Sequence, residues 1–394
     1  MSKWKRVKLG DYICQVRGVS YSPKDASEVP ENSHRPILRA HNIQDDGINF
    51  DNLVFVNSGR IKEVQYIRKG DIIICASSGS KNLVGKAVQA NKDMPISFGA
   101  FCKVVRTKKI YPPYLGTFFK SKKYRQTIST LSAGANINNI KNEDIEGLEI
   151  PLPPLEAQRK IAKTLDTVSE ILAMRKQQLA ELDNLIKSIF YDMFGDPVGN
   201  EKGWEVSSLK NVCRRITDGT HHSPPNSPEG EYKYITAKNI KKDGLDLDNV
   251  TFVTEKDHKS IFRRCDPEYG DVLYIKDGVT TGIAQVNTLY EEFSLLSSVA
   301  LLKLNAEILK PFFLREVLNN KNMYRAIRIN MGGAAITRLT LKKIGLITIP
   351  VPPLFIQAHF ETIVLKVEDQ KKLIQTAIDE TQYLFDSLMS QYFD

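Results

Sequence analysis

The sequence predicts a mixed α/β protein in which two similar α/β domains are each followed by a long helix. The second half of the chain repeats the first at an offset of 197 to 201 residues. In each copy, short apolar runs separated by Gly, Asn and Asp turns come first, and a long stretch with apolar residues at helical spacing comes last. A repeat of this length indicates duplicated structural units, and the two periodicities distinguish strands from helices.

The repeat is clearest at a few short motifs. Gly70-Asp71 returns as Gly270-Asp271, and Trp4 returns as Trp204. Ile150-Pro151-Leu152-Pro153-Pro154-Leu155 with Gln158 returns as Ile349-Pro350-Val351-Pro352-Pro353-Leu354 with Gln357. The predicted boundaries are a first domain over 1–152, a helix over 153–195, a second domain over 196–351 and a second helix over 352–394. We call the two domains head 1 and head 2.

Composition limits the class of protein. With 394 residues and 42% apolar residues, each head is large enough to bury a core of its own. No apolar run of about 18 residues occurs and the first residues lack a signal-peptide pattern, so we expect a cytoplasmic protein. The five cysteines form no C-x-x-C pair and have no repeat partners, which argues against a zinc site and a disulfide framework.

Positive charge is concentrated in the heads. Residues 1–150 carry 24 Lys and Arg against 14 Asp and Glu, and residues 200–352 carry 22 against 18. The two helical segments are slightly acidic. Basic surface restricted to two equivalent domains favours a polyanionic ligand such as DNA, although ordinary surface charge remains an alternative for head 2.

Each predicted helix carries a heptad seam. In the first helix the seam runs from Ile161 to Met193 and is interrupted by Arg175. In the second it runs from Phe360 to Tyr392 and is interrupted by Lys371 and Thr381. About 38 residues would make a rod of roughly 55 Å. We predict that the helices pair antiparallel as a coiled coil, with a pseudo-two-fold relation between the two repeats. The alternative is that each helix docks on its own head.

Within the heads, six short runs predict strands, and one longer segment in each head predicts a helix. The helices are expected over 113–131 and 311–329. The strands are expected over 71–76, 101–106, 148–152, 271–276, 300–304 and 346–351.

The polar loops differ most between the repeats. Residues 17–30 face 218–228 in the alignment, and residues 76–86 face 276–282. A shared scaffold with divergent loops is what two domains that read different base sequences would need. The predicted DNA contacts are Ser20, Tyr21, Lys24, Arg39, His41, Ser78, Lys81 and Asn82 in head 1, and Thr220, His221, His222, Lys238, Lys276, Thr280 and Thr281 in head 2. For each of them, a solvated turn residue is the alternative.

Several motifs come close to catalytic signatures and then depart from them. Tyr111-Pro112-Pro113-Tyr114 and Ser223-Pro224-Pro225-Asn226 each lack one essential end of the amino-methyltransferase motif. The segment 79–87 has five residues, not four, between its glycines and no Ser or Thr after its lysine, unlike a P-loop. His221-His222 has no acidic or cysteine partners at ligand spacing. The sequence therefore predicts neither a catalytic residue nor a metal site.

The order of these motifs resembles the DNA-specificity subunit of type I restriction–modification systems. The resemblance rests on the Pro-rich step and long helix in both halves, together with Asp218-Gly219-Thr220-His221 and Gly270-Asp271-Val272-Leu273. It covers essentially the whole chain. Head 1 departs from the pattern, since Arg17-Gly18-Val19-Ser20 stands where the family often has Asp-Gly-Thr-His.

The resemblance implies a non-catalytic subunit whose heads are target recognition domains, each reading one half of a split DNA site. It implies that the helices set the spacing and dock two modification subunits, which bind S-adenosylmethionine and methylate adenine, and that restriction subunits join the complex. No cofactor is expected on this chain. A methylation-independent bipartite DNA-binding protein and an assembly scaffold remain alternatives.

Overall fold

The computed structural model describes residues 4–44, 47–80, 83–133, 139–329 and 338–394. It divides into two compact units. Unit 1 comprises Met1–Lys176 with Thr376–Asp394, and unit 2 comprises Gln177–Gln375. Each unit therefore contains one head, part of the first long helix and part of the second.

The first repeat contains ten strands and four α-helices among its described residues. The strands are β1 (Arg6–Lys8), β2 (Ile13–Arg17), β3 (Ala26–Ser27), β4 (His34–Leu38), β5 (Val54–Asn57), β6 (Ile72–Cys75), β7 (Ala87–Gln89), β8 (Ser97–Phe98), β9 (Cys102–Thr107) and β10 (Glu149–Pro151). The helices are α1 (Pro112–Phe118), α2 (Lys122–Ala133), α3 (Asn142–Glu146) and the long α4 (Leu155–Phe194).

The second repeat follows the same plan with some additional short elements. Its strands are β11 (Val206–Ser208), β12 (Cys213–Asp218), β13 (Tyr232–Ile235), β14 (Ile240–Lys241), β15 (Gly244–Leu245), β16 (Thr251–Val253), β17 (Val272–Ile275), β18 (Ala284–Val286), β19 (Ser294–Leu295), β20 (Val299–Leu304) and β21 (Thr348–Pro350). Its helices are α5 (Leu209–Val212), α6 (Glu255–Phe262), α7 (Pro311–Asn319), α8 (Lys321–Ile329), α9 (Leu341–Gly345) and the long α10 (Leu354–Phe393).

The sheets show that the heads share one topology. Head 1 has a four-stranded antiparallel sheet in the order β2-β9-β6-β7, and head 2 has the equivalent order β12-β20-β17-β18. A second sheet has the order β3-β5-β4-β8 in head 1 and β16-β13-β19 in head 2, and its strands alternate along the chain with those of the main sheet. The six predicted strands are present, with ends shifted by at most two residues. The internal repeat and the mixed α/β fold class are confirmed.

The prediction of one helix over 113–131 and one over 311–329 was wrong, because each segment forms two helices. The breaks fall at Ser121 and Asn320, and both side chains cap the helix that follows. Ser121 Oγ accepts the Tyr124 N–H at 3.2 Å, and Asn320 Oδ1 accepts the Asn322 N–H at 2.8 Å. Side chains of this type compete with the helical backbone and favour a new start, which the apolar periodicity does not reveal.

The two long helices begin at Leu155 and Leu354 and run antiparallel to each other within each unit. In unit 2, Lys371 Nζ of α10 lies 2.7 Å from Asp183 Oδ1 of α4, and the rings of Phe194 and Phe360 are 5.4 Å apart. Residue numbers rise along one helix as they fall along the other. In unit 1, the Arg175 guanidinium donates to the Thr381 hydroxyl and to the Ala377 carbonyl. The polar interruptions of the seam are therefore satisfied across the helix pair.

At the end of each helix the predicted seam residues pack against the core, but residues beside the seam are buried more deeply. Phe190 and Phe194 are fully buried, whereas the predicted Ile189 and Met193 are only partly buried. The phenylalanines join the core of head 2, where Phe194 meets Phe313 at 4.8 Å. At the end of α10, Phe393 likewise enters the core of head 1 and meets Tyr114 at 5.2 Å. A neighbouring head changes which face of the helix is buried.

Each head is attached to its long helix through a buried glutamine. Gln158 Nε2 donates to the Pro153 carbonyl and its Oε1 accepts the Tyr111 N–H, both at 2.8 Å. Gln357 does the same for Pro352 and Lys310 at 2.7 and 2.9 Å. The repeated glutamine thus holds the start of the helix to the loop before α1 or α7. No helix in the described part of the chain has the length and apolar content needed to cross a membrane.

Candidate nucleic-acid interface

The candidate interface begins at a glycine that follows the first strand of the main sheet in both heads. Gly18 follows β2 and Gly219 follows β12. A Cβ on Gly18 would lie 2.0 Å from the Gly99 carbonyl oxygen, and one on Gly219 would lie 1.8 Å from the Leu295 oxygen. No side chain fits such a close approach of two backbone segments. The glycine thereby starts an equivalent loop in each head, and the chain diverges after it.

In head 2, a buried carboxylate organises the residues around this loop. Asp218 is 2% exposed, and its Oδ1 accepts a hydrogen bond from Arg264 Nη2 at 2.7 Å. Its Oδ2 lies 3.2 Å from Lys276 Nζ, and its Oδ1 lies 3.4 Å from His221 Nε2. The side chains of Arg264 and His221 are 52% and 44% exposed. One carboxylate therefore presents an arginine and a histidine at the surface.

Three further predicted contacts of head 2 lie on the same loop or the next one. Thr220 Oγ1 donates to the His222 carbonyl at 2.9 Å, which closes a tight turn and leaves the His222 side chain exposed. Lys238 is exposed in the 3-10 helix Ala237–Asn239. Asn239 is fully buried and accepts the Thr236 N–H at 3.0 Å, so that the short helix is held rigidly beneath Lys238. The side chains of His222 and Lys238 are therefore exposed, and that of Thr220 is partly exposed.

The other predicted contacts of head 2 are divided between surface and interior. Thr280 is exposed. Thr281 is 1% exposed and donates its hydroxyl to the Gly278 carbonyl at 2.7 Å. Lys276 is 2% exposed and pairs with Asp218. In this conformation the side chains of Lys276 and Thr281 make contacts inside the head. Contact of either residue with DNA stays a prediction, and it requires the loop to open.

The first loop of head 1 carries Ser20, Tyr21 and Lys24. Ser20 is exposed, and Lys24 is exposed in the 3-10 helix Pro23–Asp25. Tyr21 is half-buried against the small apolar cluster that contains Val19. The backbone N–H of Ser22 donates to Asp25 Oδ2 at 3.1 Å, and this hydrogen bond lowers the pKa of the Asp25 carboxyl. The loop is thus a folded turn with a lysine and a serine on its outer side.

Arg39, His41 and Ser78 are only partly accessible. Arg39 Nη2 donates to the Asn52 carbonyl at 2.9 Å. Two buried nitrogens in this region, Arg39 Nε and His41 Nε2, have no hydrogen-bond partner among the described residues. Ser78 Oγ accepts the Ser80 N–H at 3.1 Å. The predicted contacts Lys81 and Asn82 lie outside the described residues.

The register of the main sheet shows which residues of the two heads are equivalent. Cys75 lies opposite Cys102 in head 1, and Ile275 lies opposite Val299 in head 2. Further along the same strands, Arg106 Nη2 lies 2.6 Å from Asp71 Oδ2, and Lys303 Nζ lies 2.9 Å from Asp271 Oδ2. This ion pair occurs in both heads and explains the repeated Gly-Asp motif.

The surroundings of this shared pair shift the ionisation of its members. The hydrogen bonds from Arg106 to Asp71 raise the pKa of the arginine. Burial raises the pKa of the Asp271 carboxyl, although Lys303 and the Glu268 N–H act in the opposite direction. The pair is a packing element of the sheet rather than part of the loop surface.

At the other end of the sheet the heads differ in charge. The strand pairing puts Arg17 opposite Lys103 in head 1 and Asp218 opposite Ala300 in head 2. Arg17 lines an open cavity of about 470 Å³ with Lys103 and Ala76, the residue equivalent to Lys276. Arg17, Lys103 and Arg264 were not among the contacts predicted from the sequence. For Arg17 the available signal was a basic residue directly before the Gly18 loop. Only the fold brings Lys103 beside Arg17 and Arg264 to the loop of head 2.

Two motifs partly match the amino-methyltransferase signature. The first has a structural role, and the contacts show no role for the second. Tyr111-Pro112-Pro113-Tyr114 starts α1, and the Tyr114 hydroxyl donates to the Pro151 carbonyl at 2.8 Å inside the core. Ser223 to Asn226 lies in the outer loop of head 2. Across the described ranges, no group of three or more His, Cys, Asp or Glu side chains is placed to hold a metal ion.

Comparison with known proteins adds the family. The model of the family "Type I restriction modification DNA specificity domain" matches residues 1–184 and again 201–381. The chain is 30% identical over 286 residues to the Type I restriction enzyme EcoKI specificity subunit of Escherichia coli (strain K12), an alignment that covers 69% of this chain and 61% of that protein. It is 40% identical over 185 residues to the Type I restriction enzyme StySPI specificity subunit of Salmonella potsdam, which covers 47% of this chain and 40% of that protein. The aligned part thus spans less than two thirds of the length of either relative.

Two solved structures show the same fold. One is the crystal structure of a Type-I restriction-modification system S subunit from M. genitalium, with a TM-score of 0.59 and 17% identity over 100% of this chain and 96% of that one. The other comes from a study of complex assembly and conformational transition of the type I R-M system, with a TM-score of 0.54 and 19% identity over 99% and 97%. Because the family model covers both repeats almost completely, this chain belongs to the type I restriction modification DNA specificity domain family.

Proposed function

We propose that this chain is the DNA-specificity subunit of a type I restriction–modification complex. The observation that carries the proposal is the presence of two family domains in one chain, each with a glycine-started loop that bears its own set of polar side chains. Head 1 and head 2 each read one half of a split, gapped DNA site. Because the polar residues of these loops differ between the two heads, the two half-sites are expected to differ in sequence.

In this role the chain is a recognition subunit, and catalysis belongs to its partners. The proposed partners are double-stranded DNA, two modification subunits that bind S-adenosylmethionine and methylate adenine at N6, and restriction subunits. Two similar heads on one chain offer two similar docking surfaces, which suits two copies of one partner. Since the proposed ligand is genomic DNA, the proposed compartment is the cytoplasm.

The long helices are proposed to act as a spacer. Two half-site interactions of moderate strength reinforce each other only when the half-sites lie at the separation that the protein imposes. Side chains within each unit support a defined register, since Lys371 meets Asp183 and Arg175 meets Thr381 across the helix pair. The half-site centres are expected to lie about one DNA turn, roughly 34 Å, apart.

The experiment that tests the proposal is a genome-wide comparison of adenine methylation, by long-read sequencing, between the host and a strain that lacks this chain. Loss of one split, gapped motif is expected, and it would identify both half-sites and the gap. If the chain is expressed and the methylated motifs are unchanged, the proposal fails. Purified chain that then binds a gapped duplex without a methyltransferase would indicate a bipartite DNA-binding protein, and no binding would indicate a scaffold.

Single residues can be tested by complementing the deletion strain. His221→Ala or Lys238→Ala is expected to reduce methylation of the motif, because both side chains lie on the outer loops of head 2. Lys92→Ala, an exposed lysine at the far end of the head 1 sheet, serves as the control. Undiminished methylation with His221→Ala or Lys238→Ala would remove that residue from the interface.

A further inference from the structure

The cavity in head 1 lies where the main sheet ends beside the Gly18 loop. It is lined on one side by the end of β2 and the start of β9, and on the other by the segment before α3 and the first residues of that helix. The residues that matter here are Arg17, Ser20, Lys103, Asn139, Lys141 and Glu143. Three of the six are basic and one is acidic, so the lining carries a net positive charge.

Head 2 fills the same place with an ion pair of its own. The equivalents of Arg17 and Ala76 are Asp218 and Lys276, which are both buried and lie 3.2 Å apart. The equivalent of Lys103 is Ala300. Head 2 therefore supplies an internal carboxylate for its buried cation, whereas head 1 has Arg17 in place of that carboxylate and Lys103 in place of Ala300.

The two cavity cations Arg17 and Lys103 form no close ion pair within the part of the chain that the structure describes. Lys103 Nζ donates to a neutral acceptor, Asn142 Oδ1, at 2.7 Å. Within the described residues, neither Arg17 nor Lys103 has a carboxylate oxygen within 4.0 Å of its charged nitrogens. Burial lowers the pKa of Lys103, although the more distant Asp144 and Glu143 act in the opposite direction. An anion that entered the cavity would pair with both cations at short range.

We propose that head 1 takes a backbone phosphate of its DNA half-site into this cavity, between Arg17 and Lys103, where head 2 keeps the Asp218 carboxylate. The inference rests on the proposed function. Arginine binds phosphate oxygens through paired hydrogen bonds, and lysine adds a compact charge. At about 470 Å³ the cavity has room for a phosphate and several waters, each of which needs about 30 Å³.

A phosphate contact positions the protein on DNA without reading sequence. It also leaves a measurable signature, because each neutralised phosphate contributes about 0.9 to the slope of log affinity against log salt. Head 1 is then expected to depend on salt more strongly than head 2 at this position. The larger positive charge of head 1, 24 basic against 14 acidic residues over 1–150, is consistent with this difference.

The test uses the complex of this chain with its methyltransferase and a fluorescent duplex that carries the methylated motif. Affinity is measured over a range of salt concentrations for the wild type and for Arg17→Ala/Lys103→Ala. The control is Lys92→Ala/Lys108→Ala, which removes the same charge from exposed lysines at the opposite end of the same sheet. The expected result is a slope reduced by about 0.9 for the cavity variant and an unchanged slope for the control.

A second variant distinguishes the loss of a phosphate contact from misfolding of head 1. Arg17→Asp/Ala76→Lys/Lys103→Ala transplants the ion pair of head 2 into head 1, so the cavity receives an internal carboxylate. It is expected to fold and to lose the same part of the salt dependence. The methylated motif should be unchanged in sequence for both variants, since phosphate contacts do not select bases.

Three results would overturn the inference. An unchanged salt slope in both cavity variants, with normal binding by the wild type, means that no phosphate is bound there. A changed half-site sequence in the methylome means that these residues contact bases instead. If the wild-type complex itself shows no preference for the motif, the proposed function fails, and the inference fails with it.

Discussion

Lys276 Nζ lies 3.2 Å from Asp218 Oδ2 inside head 2, and both side chains are almost completely buried. Asp218 also accepts from the exposed Arg264, which in turn lies 3.0 Å from His221 Nε2. The ion pair thus connects the interior of the head to the side chains that the loop presents. Its loss is expected to affect both stability and recognition.

Asp218→Asn leaves the Lys276 ammonium buried without its carboxylate and is expected to destabilise head 2 by roughly 3 kcal/mol. The double variant Asp218→Asn/Lys276→Met removes both charges and should recover most of the loss. Chemical unfolding of the full chain measures the difference, with Lys238→Met as an exposed control in the same head. The explanation is wrong if the double variant is less stable than Asp218→Asn.

The glutamines at the start of the long helices are expected to stabilise the joint between head and helix. Gln357→Ala removes hydrogen bonds to the Pro352 and Ile308 carbonyls and to the Lys310 N–H. Because these buried backbone groups would be left unsatisfied, a loss of about 2 kcal/mol is expected from thermal unfolding. Gln158→Ala should behave alike. Gln382→Ala, an exposed glutamine on α10, is the control, and an equal effect there would show that burial is not the cause.

Lengthening the helix pair is expected to lengthen the gap between the half-sites. Seven residues inserted between Leu179 and Met193, with seven more in the facing part of α10 between Phe360 and Ile374, would keep the seam in phase. They would add about 10.5 Å, which is roughly three base pairs. The motif methylated in cells reports the new gap.

A second insertion distinguishes the effect of a longer helix pair from the effect of a disrupted seam. Four residues inserted only between Leu179 and Met193 shift the seam by about 40° and add about 6 Å on one side. This variant is expected to alter the tolerated gap or to lose activity. An unchanged gap with both insertions would rule out the spacer role of the helices.

The cysteines are expected to differ in reactivity according to burial. Burial raises the pKa of the Cys75 thiol to about 11 and those of Cys213 and Cys265 to about 12, and it raises that of Cys102 further. At pH 8, about one in a thousand or fewer of these thiols would be ionised, and the thiolate is the reactive form. Iodoacetamide should therefore modify Cys14, which is only partly buried, before the others.

Mass spectrometry of the native and denatured chain measures this difference. Denatured protein should react at all five cysteines, since burial is then lost. Cys14→Ser should abolish the fast reaction of the native chain. Fast modification of Cys75 or Cys265 in native protein would contradict their burial.

Much of the architecture follows from the sequence because it depends on repeated local patterns. Strong local signals mark the repeat itself, the starts of α4 and α10 at the leucine of the Pro-Pro-Leu step, and the central strands β6, β9, β17 and β20. Apolar periodicity reflects which face of a helix or strand is buried. It can therefore be read from the sequence without knowing which element packs against that face. The breaks at Ser121 and Asn320 were missed because a single capping residue leaves the periodicity unchanged.

Less of the candidate interface than of the fold could be predicted from local sequence patterns. Sequence divergence identified the loops around Ser20 and His221, because loops carry the differences between related domains. It could not distinguish Lys276 and Thr281, which are buried, from Thr280, which is exposed. A lysine looks alike in sequence whether it faces solvent or a buried carboxylate.

By itself, the sequence determined that this chain consists of two related α/β heads and two long helices, because repeats and periodicities are properties of the linear order. The tertiary structure alone decided which distant residues meet. It placed Lys276 beside Asp218 in head 2 and Arg17 beside Lys103 in head 1, and it buried Phe194 and Phe393 in the head cores. Whether a charge is paired depends on its neighbours in space, and strand pairing sets those neighbours.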